Sequence, residues 1–110
     1  MKKNDTVYLK HILDAIHQIE TYVDSLDYAQ FEQTRLVQDG VIRQLEIIGE
    51  ASRNLSDEYR AQHAELPWRQ IIGLRNRLIH AYFDVNLGII WEIVQVNIPQ
   101  LKHSINASIE

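Results

Sequence analysis

Apolar residues recur at steps of three and four along almost the whole chain, and this spacing constrains the fold more than any other feature. In the first segment the series runs through Leu9, Ile12, Leu13, Ile16, Ile19, Val23 and Leu26. Only four glycines and two prolines interrupt the chain, and no stretch alternates apolar and polar residues as a strand would. The sequence therefore predicts an all-α fold, a single-domain antiparallel bundle of four to five helices.

Capping residues and prolines predict where the helices begin and end. Asn4 or Asp5, Thr34, Ser56, Pro67 and Asn86 are the expected helix starts. A short helical piece is expected near residues 26–32, and a longer helix should run from Trp68 to about Tyr82. The last helix is expected to begin at Leu87 and to kink or end at Pro99, before a tail from Gln100 to Glu110.

Length and composition narrow the class of protein. A chain of 110 residues forms one domain, residues 1–110, and its 45% hydrophobic share is sufficient for a globular core. No apolar run approaches the ~20 residues that cross a bilayer. The N-terminal residues do not resemble a signal peptide, and zero cysteines exclude disulfides and thiolate metal sites. These features predict a cytoplasmic protein without a membrane partner or a cofactor.

Positive charge is concentrated in one segment of an acidic chain. The net charge of −4 argues against a surface built to grip duplex DNA. Residues 66–83 nevertheless contain no Asp or Glu, and they include Arg69, Arg75, Arg77 and His80. A local anion-binding site is therefore expected here, with Arg69 and Arg77 as candidate phosphate contacts.

On a helical wheel, Arg75 projects from the apolar side of its predicted helix. Such an arginine needs a carboxylate, a subunit boundary or an anionic ligand, unless its stem lies on apolar neighbours and its head reaches water. Both interpretations remain open from the spacing. Arg75 and His80 lie ~140° apart on a straight helix, so they meet at one phosphate only through the reach of arginine, a helix irregularity or a second subunit. An Arg–Asn–His set has the chemistry for metal-free RNA cleavage, since histidine exchanges protons near neutral pH and arginine binds phosphate oxygens in pairs.

The amino-acid sequence of this segment resembles that of a known protein family. Arg75, His80 and Tyr82 match the motif R-x-x-x-x-H-x-Y of the HEPN superfamily, in particular of HepT-like toxins. The stretches IIGEAS (residues 47–52) and WRQIIGLRN (residues 68–76) are similar to that family as well. The resemblance implies a HEPN bundle that acts as a metal-independent endoribonuclease toxin of a type VII-like toxin–antitoxin pair. It also implies a homodimer with the motifs lining a cleft between subunits, a transfer RNA or messenger RNA substrate, and products with 2′,3′-cyclic phosphate ends.

The same resemblance implies a role for each motif residue. Arg75 binds phosphate and stabilises the transition state, His80 is the acid–base residue, and Asn76 is a supporting polar contact. Tyr82 is the residue to which a MntA-like nucleotidyltransferase antitoxin adds AMP. Glu50 in IIGEAS is a weaker candidate for support, and a solvated surface carboxylate explains it equally well.

Two other functions remain open, and several residues have simpler explanations. The chain could be a non-catalytic HEPN module that binds nucleotide or RNA, or a structural partner of a nucleotidyltransferase. Trp68 and Trp91 stand at core spacing, which favours packing over base stacking. The four remaining histidines show no metal-ligand spacing and are expected at the surface or partly packed; they are His11, His17, His63 and His103.

Overall fold

The computed structural model describes residues 3–80 and 86–109, with the backbone alone at Lys3, Arg75, Ile79 and His80. Within these ranges every regular element is helical, so the predicted all-α class is confirmed. The helices are α1 (Lys3–Val23), α2 (Tyr28–Gln33), α3 (Arg35–Arg53), α4 (Asp57–Gln62), α5 (Trp68–His80), α6 (Leu87–Glu92) and α7 (Ile98–Ile109). A π-helical segment, Ile93–Asn97, joins α6 to α7, and the three together are called the C-terminal helix below.

The long helices pack side by side around one apolar core. α3 contacts both α1 and α5, and the C-terminal helix contacts α1 and α2. Fully buried aliphatic side chains form the centre, and each contributes roughly 1.5–3 kcal/mol of transfer free energy. In the described ranges the apolar residues with no exposed surface are the aliphatic Leu9, Ile12, Ile19, Val41, Leu45, Ile48 and Ile105 and the aromatic Phe31.

Contacts at the helix ends show the antiparallel arrangement that the sequence predicts. At one end of α1, Asp5 bonds to Ser56, which follows the end of α3. At the other end, the ring of Tyr22 lies against Gly40 near the start of α3. A β-carbon on Gly40 would stand 2.9 Å from the ring atom Cε2, so α1 and α3 approach this closely because residue 40 has no side chain.

Asn4 or Asp5 was expected to cap α1, and this expectation is wrong because both residues lie inside that helix. Asp5 is in the first turn of α1 and is buried, with 2% of its surface exposed. Its carboxylate accepts hydrogen bonds from the backbone N–H and the hydroxyl of Ser56, both at 2.7 Å. Asp5 therefore joins two segments that are 51 residues apart in the sequence.

Thr34 precedes α3 as predicted, but its side chain does not cap that helix. No cap hydrogen bond forms, and the hydroxyl instead donates to the carbonyl oxygen of Gln30 at 2.7 Å. Thr34 is the only residue between α2 and α3, and its side chain hydrogen-bonds to a carbonyl group at the end of α2 instead of capping α3. At its other end, α2 begins with a reciprocal capping box between Asp27 and Gln30.

The other predicted starts are confirmed. Ser56 accepts a hydrogen bond from the backbone N–H of Tyr59 at the start of α4, and Asn86 accepts one from Ile89 at the start of α6. Pro67 directly precedes α5, where the absence of an N–H group has no cost.

Pro99 does not end the C-terminal helix, so the predicted tail is wrong. The π-helical segment directly precedes the proline and lets the helix continue through it. Its last hydrogen bond joins the N–H group of Ile98 to the carbonyl of Ile93, five residues earlier. Eight residues of a straight α-helix would place Ile98 about 80° from Ile90. The wider turn corrects this rotation, and Ile90, Val94 and Ile98 all remain buried.

Candidate functional site

Helix α5 carries Arg75 and His80 of the motif, and buried residues hold this helix in place. Trp68, Leu74 and Leu78 are buried, and α5 packs with this side against α3. The indole N–H of Trp68 donates to the carbonyl oxygen of His63 at 3.0 Å, and its ring meets Tyr59 edge to face. Trp68 therefore anchors the start of α5, which confirms packing over base stacking.

The polar side of α5 is open to solvent. Arg69, Asn76 and Arg77 are exposed, and none of the three side chains has a hydrogen-bond or ion-pair partner within the described ranges. Arg69 and Asn76 are seven residues apart, so they lie on nearly the same side of the helix. These three side chains carry N–H groups that donate hydrogen bonds to phosphate oxygens.

The structure places Arg75 and His80 on the backbone of α5, and their side chains lie outside the described residues. Tyr82 also lies outside them. Arg75 therefore lies between the exposed Arg69 and Arg77 on one helix, and His80 is the last residue that the structure describes there. The roles of Arg75, His80 and Tyr82 remain predictions.

Glu50 lies on α3, on a side that faces α1. It is exposed and lines a surface cleft of about 400 Å³ together with Tyr8, His11 and Arg43. This cleft is formed by α1 and α3 and includes no residue of α5. Support of the arginines by Glu50 remains a prediction.

A second polar cluster, which the sequence reasoning missed, joins α4, the loop after it and α7. Glu65 accepts a hydrogen bond from the Ser104 hydroxyl at 3.1 Å and lies 3.6 Å from Nδ1 of His63. A hydrogen bond from its own backbone N–H, followed by those from Ser104 and His63, lowers the pKa of Glu65. No pattern along the chain predicts this cluster, since 39 residues separate Glu65 from Ser104.

Tyr59 extends the same cluster towards the core. Its hydroxyl hydrogen-bonds with Ser108 at 2.7 Å, and its ring stacks on His63 with 4.4 Å between the centroids. Burial raises the pKa of the Tyr59 hydroxyl, and the Ser108 hydrogen bond opposes this shift. Tyr59 therefore stays neutral and acts as a packing residue. Within residues 3–80 and 86–109 no three acidic or histidine side chains lie close enough together to hold a metal ion.

Comparison with known proteins decides the family. The profile of the family described as ribonuclease HepT-like matches residues 12–108. The chain belongs to this family. The match spans nearly the whole chain, including α5 and most of α1, and it confirms the resemblance that the motif suggests.

Several curated relatives carry ribonuclease names. The chain is 41% identical to the "Probable ribonuclease HepT" of Thermococcus cleftensis, over 93% of each chain. A Caldanaerobacter subterraneus protein named as a putative RNase is 39% identical, over 94% of this chain and 92% of its own.

One relative is about twice as long. A Methanocaldococcus jannaschii protein, named as a gamma-glutamylcyclotransferase and putative RNase, is 43% identical over 96% of this chain. This chain spans about half of that protein, 47% of its length. No solved structure matches the chain. None of the helices in the described ranges is long and apolar enough to cross a bilayer.

Proposed function

We propose that this chain is an endoribonuclease that cleaves RNA through Arg75 and His80 of α5. The observation that carries the proposal is the exposed polar side of α5, which presents Arg69, Asn76 and Arg77 next to the family motif. Membership of a ribonuclease family supports it. The segment 66–83 holds no acidic residue, so its field attracts phosphate in an otherwise acidic protein.

In the proposed reaction, His80 removes the proton of a ribose 2′-OH, and the 2′-oxygen attacks the adjacent phosphorus. The bond from phosphorus to the 5′-oxygen breaks, and that oxygen takes a proton from a general acid. The products are a 2′,3′-cyclic phosphate and a 5′-OH end. Arg75 stabilises the charge that develops on the phosphorane oxygens, because its guanidinium donates to two oxygens at once.

We place the reaction at a homodimer, because a second subunit supplies the general acid as the partner's His80. Arg75 and His80 lie ~140° apart on one straight helix. In a dimer, residues from two helices can meet at one phosphate, so this separation is no longer an obstacle. Sedimentation at micromolar concentration tests this assembly. A monomer that cleaves RNA at full rate contradicts it.

RNA cleavage in the presence of EDTA is the direct test. The unmodified wild type should cut single-stranded RNA and leave 2′,3′-cyclic ends, and His80→Ala should lose at least 100-fold in rate, the low end for general acid–base catalysis. His17→Ala is the matched control, because His17 is exposed on α1, away from α5. Wild-type protein that binds RNA without cleaving it would favour a non-catalytic binding module, and a protein that does neither would favour a structural partner.

The salt dependence of RNA binding tests the exposed arginines separately. Each phosphate contact to single-stranded RNA contributes roughly 0.7 to the slope of log K against log salt. Arg69→Ala and Arg77→Ala should each lower the slope by about this amount. Arg53→Ala removes the same charge from the exposed end of α3 and should leave the slope unchanged. Equal effects of all three changes would indicate attraction by net charge alone.

We further propose that the chain is the toxin of a toxin–antitoxin pair, silenced by a MntA-like nucleotidyltransferase. The tyrosyl oxygen of Tyr82 attacks the α-phosphorus of a nucleoside triphosphate and releases pyrophosphate. The AMP group that remains adds negative charge two residues from His80 and weakens RNA binding. Intact mass after coexpression with the transferase should increase by whole AMP units, and Tyr82→Phe should abolish the increase.

A further inference from the structure

A groove runs beside the motif helix, between α5 and the C-terminal helix. The C-terminal helix contacts α1 and α2, which leaves a space of about 380 Å³ next to α5. Ile71 and Leu74 form one wall, and Ile89 and Ile93 form the other. This volume lies within the range of small-molecule sites, which is roughly 300–1,000 Å³.

Polar side chains stand at the rim of this groove. Gln70 and Arg77 come from α5, and Glu92 and Asn97 come from the C-terminal helix. All four are exposed, and within the described ranges none has a hydrogen-bond or ion-pair partner. The groove thus combines apolar walls with side chains that are available for hydrogen bonds.

The backbone is irregular on the same wall. The π-helical segment begins at Ile93 and ends at Asn97, and both residues line the groove. Such segments occur frequently at functional sites. Here the segment also keeps the buried side of the C-terminal helix aligned, so it supports the inference without carrying it alone.

The position of the groove indicates what occupies it. Leu74, in the wall, directly precedes Arg75, and Arg77, at the rim, is three residues from His80. Six residues of α-helix, from Leu74 to His80, span about 9 Å. Arg77 links the groove to the motif, because it lines the groove and precedes His80 by less than one helical turn. The flat ring of a base can pack against the apolar walls while its polar edge meets the side chains of the rim. The exposed Arg77 lies in a segment without acidic residues and can bind the phosphate of the same nucleotide.

Resting on the proposed function, we infer that this groove binds one base of single-stranded RNA beside the cleaved phosphate, and that Glu92 selects guanine. An ionised carboxylate only accepts hydrogen bonds, so it requires a base that donates. Guanine presents two donors on one edge, N1–H and N2–H, which match the two carboxylate oxygens. Uracil presents one donor between two carbonyl oxygens, which the carboxylate repels.

Binding of uncleavable RNA tests the inference. Trinucleotides with 2′-O-methyl riboses cannot undergo attack by the 2′-oxygen, and two of them, A–G–A and A–U–A, differ only in the central base. Titration followed by methyl NMR should shift the signals of Ile71, Ile89 and Ile93, with at least 5-fold tighter binding of A–G–A. Glu92→Gln should bring the ratio close to one, because an amide both donates and accepts.

A groove-filling variant and a matched control complete the test. Ile89→Trp places a large side chain in the groove, and Ile89 is already 44% exposed, so the core is unaffected. Val96→Trp makes a similar change at a 49% exposed residue outside the groove lining. We expect Ile89→Trp to weaken binding of A–G–A at least 10-fold and Val96→Trp to bind as the wild type does.

The outcomes separate this inference from the proposed function. Shifts of the backbone amides of Arg69 and Asn76 without methyl shifts in the groove, or wild-type binding by Ile89→Trp, would overturn the base site and leave the ribonuclease intact. If Ile89→Trp instead loses a protein partner while it binds RNA normally, the groove is a protein-docking surface and the inference is wrong. Shifts in the groove from a protein that does not cleave RNA would support the base site and contradict the ribonuclease. No shift anywhere would contradict both.

Discussion

Replacing Asp5 by alanine should destabilise the fold far more than a surface substitution does. Two hydrogen bonds to Ser56, each 2.7 Å long, are lost from a buried carboxylate. A hydrogen bond to a charged group contributes about 1.5–3 kcal/mol. Ser56 is only half-buried, so water replaces part of the loss, and we expect about 2–4 kcal/mol.

Thermal and urea unfolding measure this effect. At about 2.1 cal/mol/K per residue, a chain of this length has an unfolding entropy near 0.23 kcal/mol/K, so the midpoint should fall by roughly 9–17 °C. Protein concentration is held constant, because a dimer links the midpoint to concentration.

Asp14→Ala is the control for Asp5→Ala. Asp14 is exposed on the same helix, so its replacement also removes a carboxylate but loses no buried hydrogen bond. The difference between the two variants measures the interactions of the buried Asp5 side chain, which include both hydrogen bonds to Ser56. A difference below about 1 kcal/mol would refute the argument that Asp5 holds the ends of α1 and α3 together.

Two further predictions concern stability. Gly73→Ala should raise the free energy of unfolding by about 0.5–1 kcal/mol, because a β-carbon there meets no atom within 4 Å in the interior of a helix. Gly40→Ala brings the same gain but forces a contact with Tyr22, so urea unfolding should place it at least ~1 kcal/mol below Gly73→Ala; equal effects would contradict the close packing of α1 and α3. The lowered pKa of Glu65 makes its ionised form a stabilising feature that is present above pH 4.5 and lost as pH falls below it. Ser104→Ala should therefore lessen the loss of stability between about pH 6 and pH 3, and an unchanged loss would show that this hydrogen bond has no role.

Local signals in the sequence predicted local structure well. The periodicity located the long helices, and Ser56 and Asn86 cap the helices that they were expected to cap. The predictions of individual caps failed where the side chain had a second possible partner. Asp5 and Thr34 both have the side chain of a helix cap, but Asp5 bonds across 51 residues and Thr34 serves the preceding helix.

One part of the candidate site could be predicted from the sequence and another part could not. The motif at Arg75 and His80 lies within one short segment, so the sequence alone identified α5 as the helix of interest. The groove beside α5 joins Leu74 to Ile93, which are far apart in sequence, and no spacing rule brings them together. Glu92 had no distinguishing neighbour in the sequence, and only the fold shows that it faces the motif helix across the groove.

The π-helical segment has a consequence for how the chain tolerates change. Gln95, Val96 and Asn97 are exposed, so most substitutions there should be mild. Deleting one of these residues should be tolerated as well, because only seven α-helical residues would then separate Ile90 from Ile98, and seven residues come within about 20° of two full turns. The wide turn would become an α turn, and Leu101 and Ile105 would stay on the buried side. At this part of the surface related chains should therefore differ by substitution and by the loss of one residue, whereas an added residue would turn α7 by about 100° away from the core.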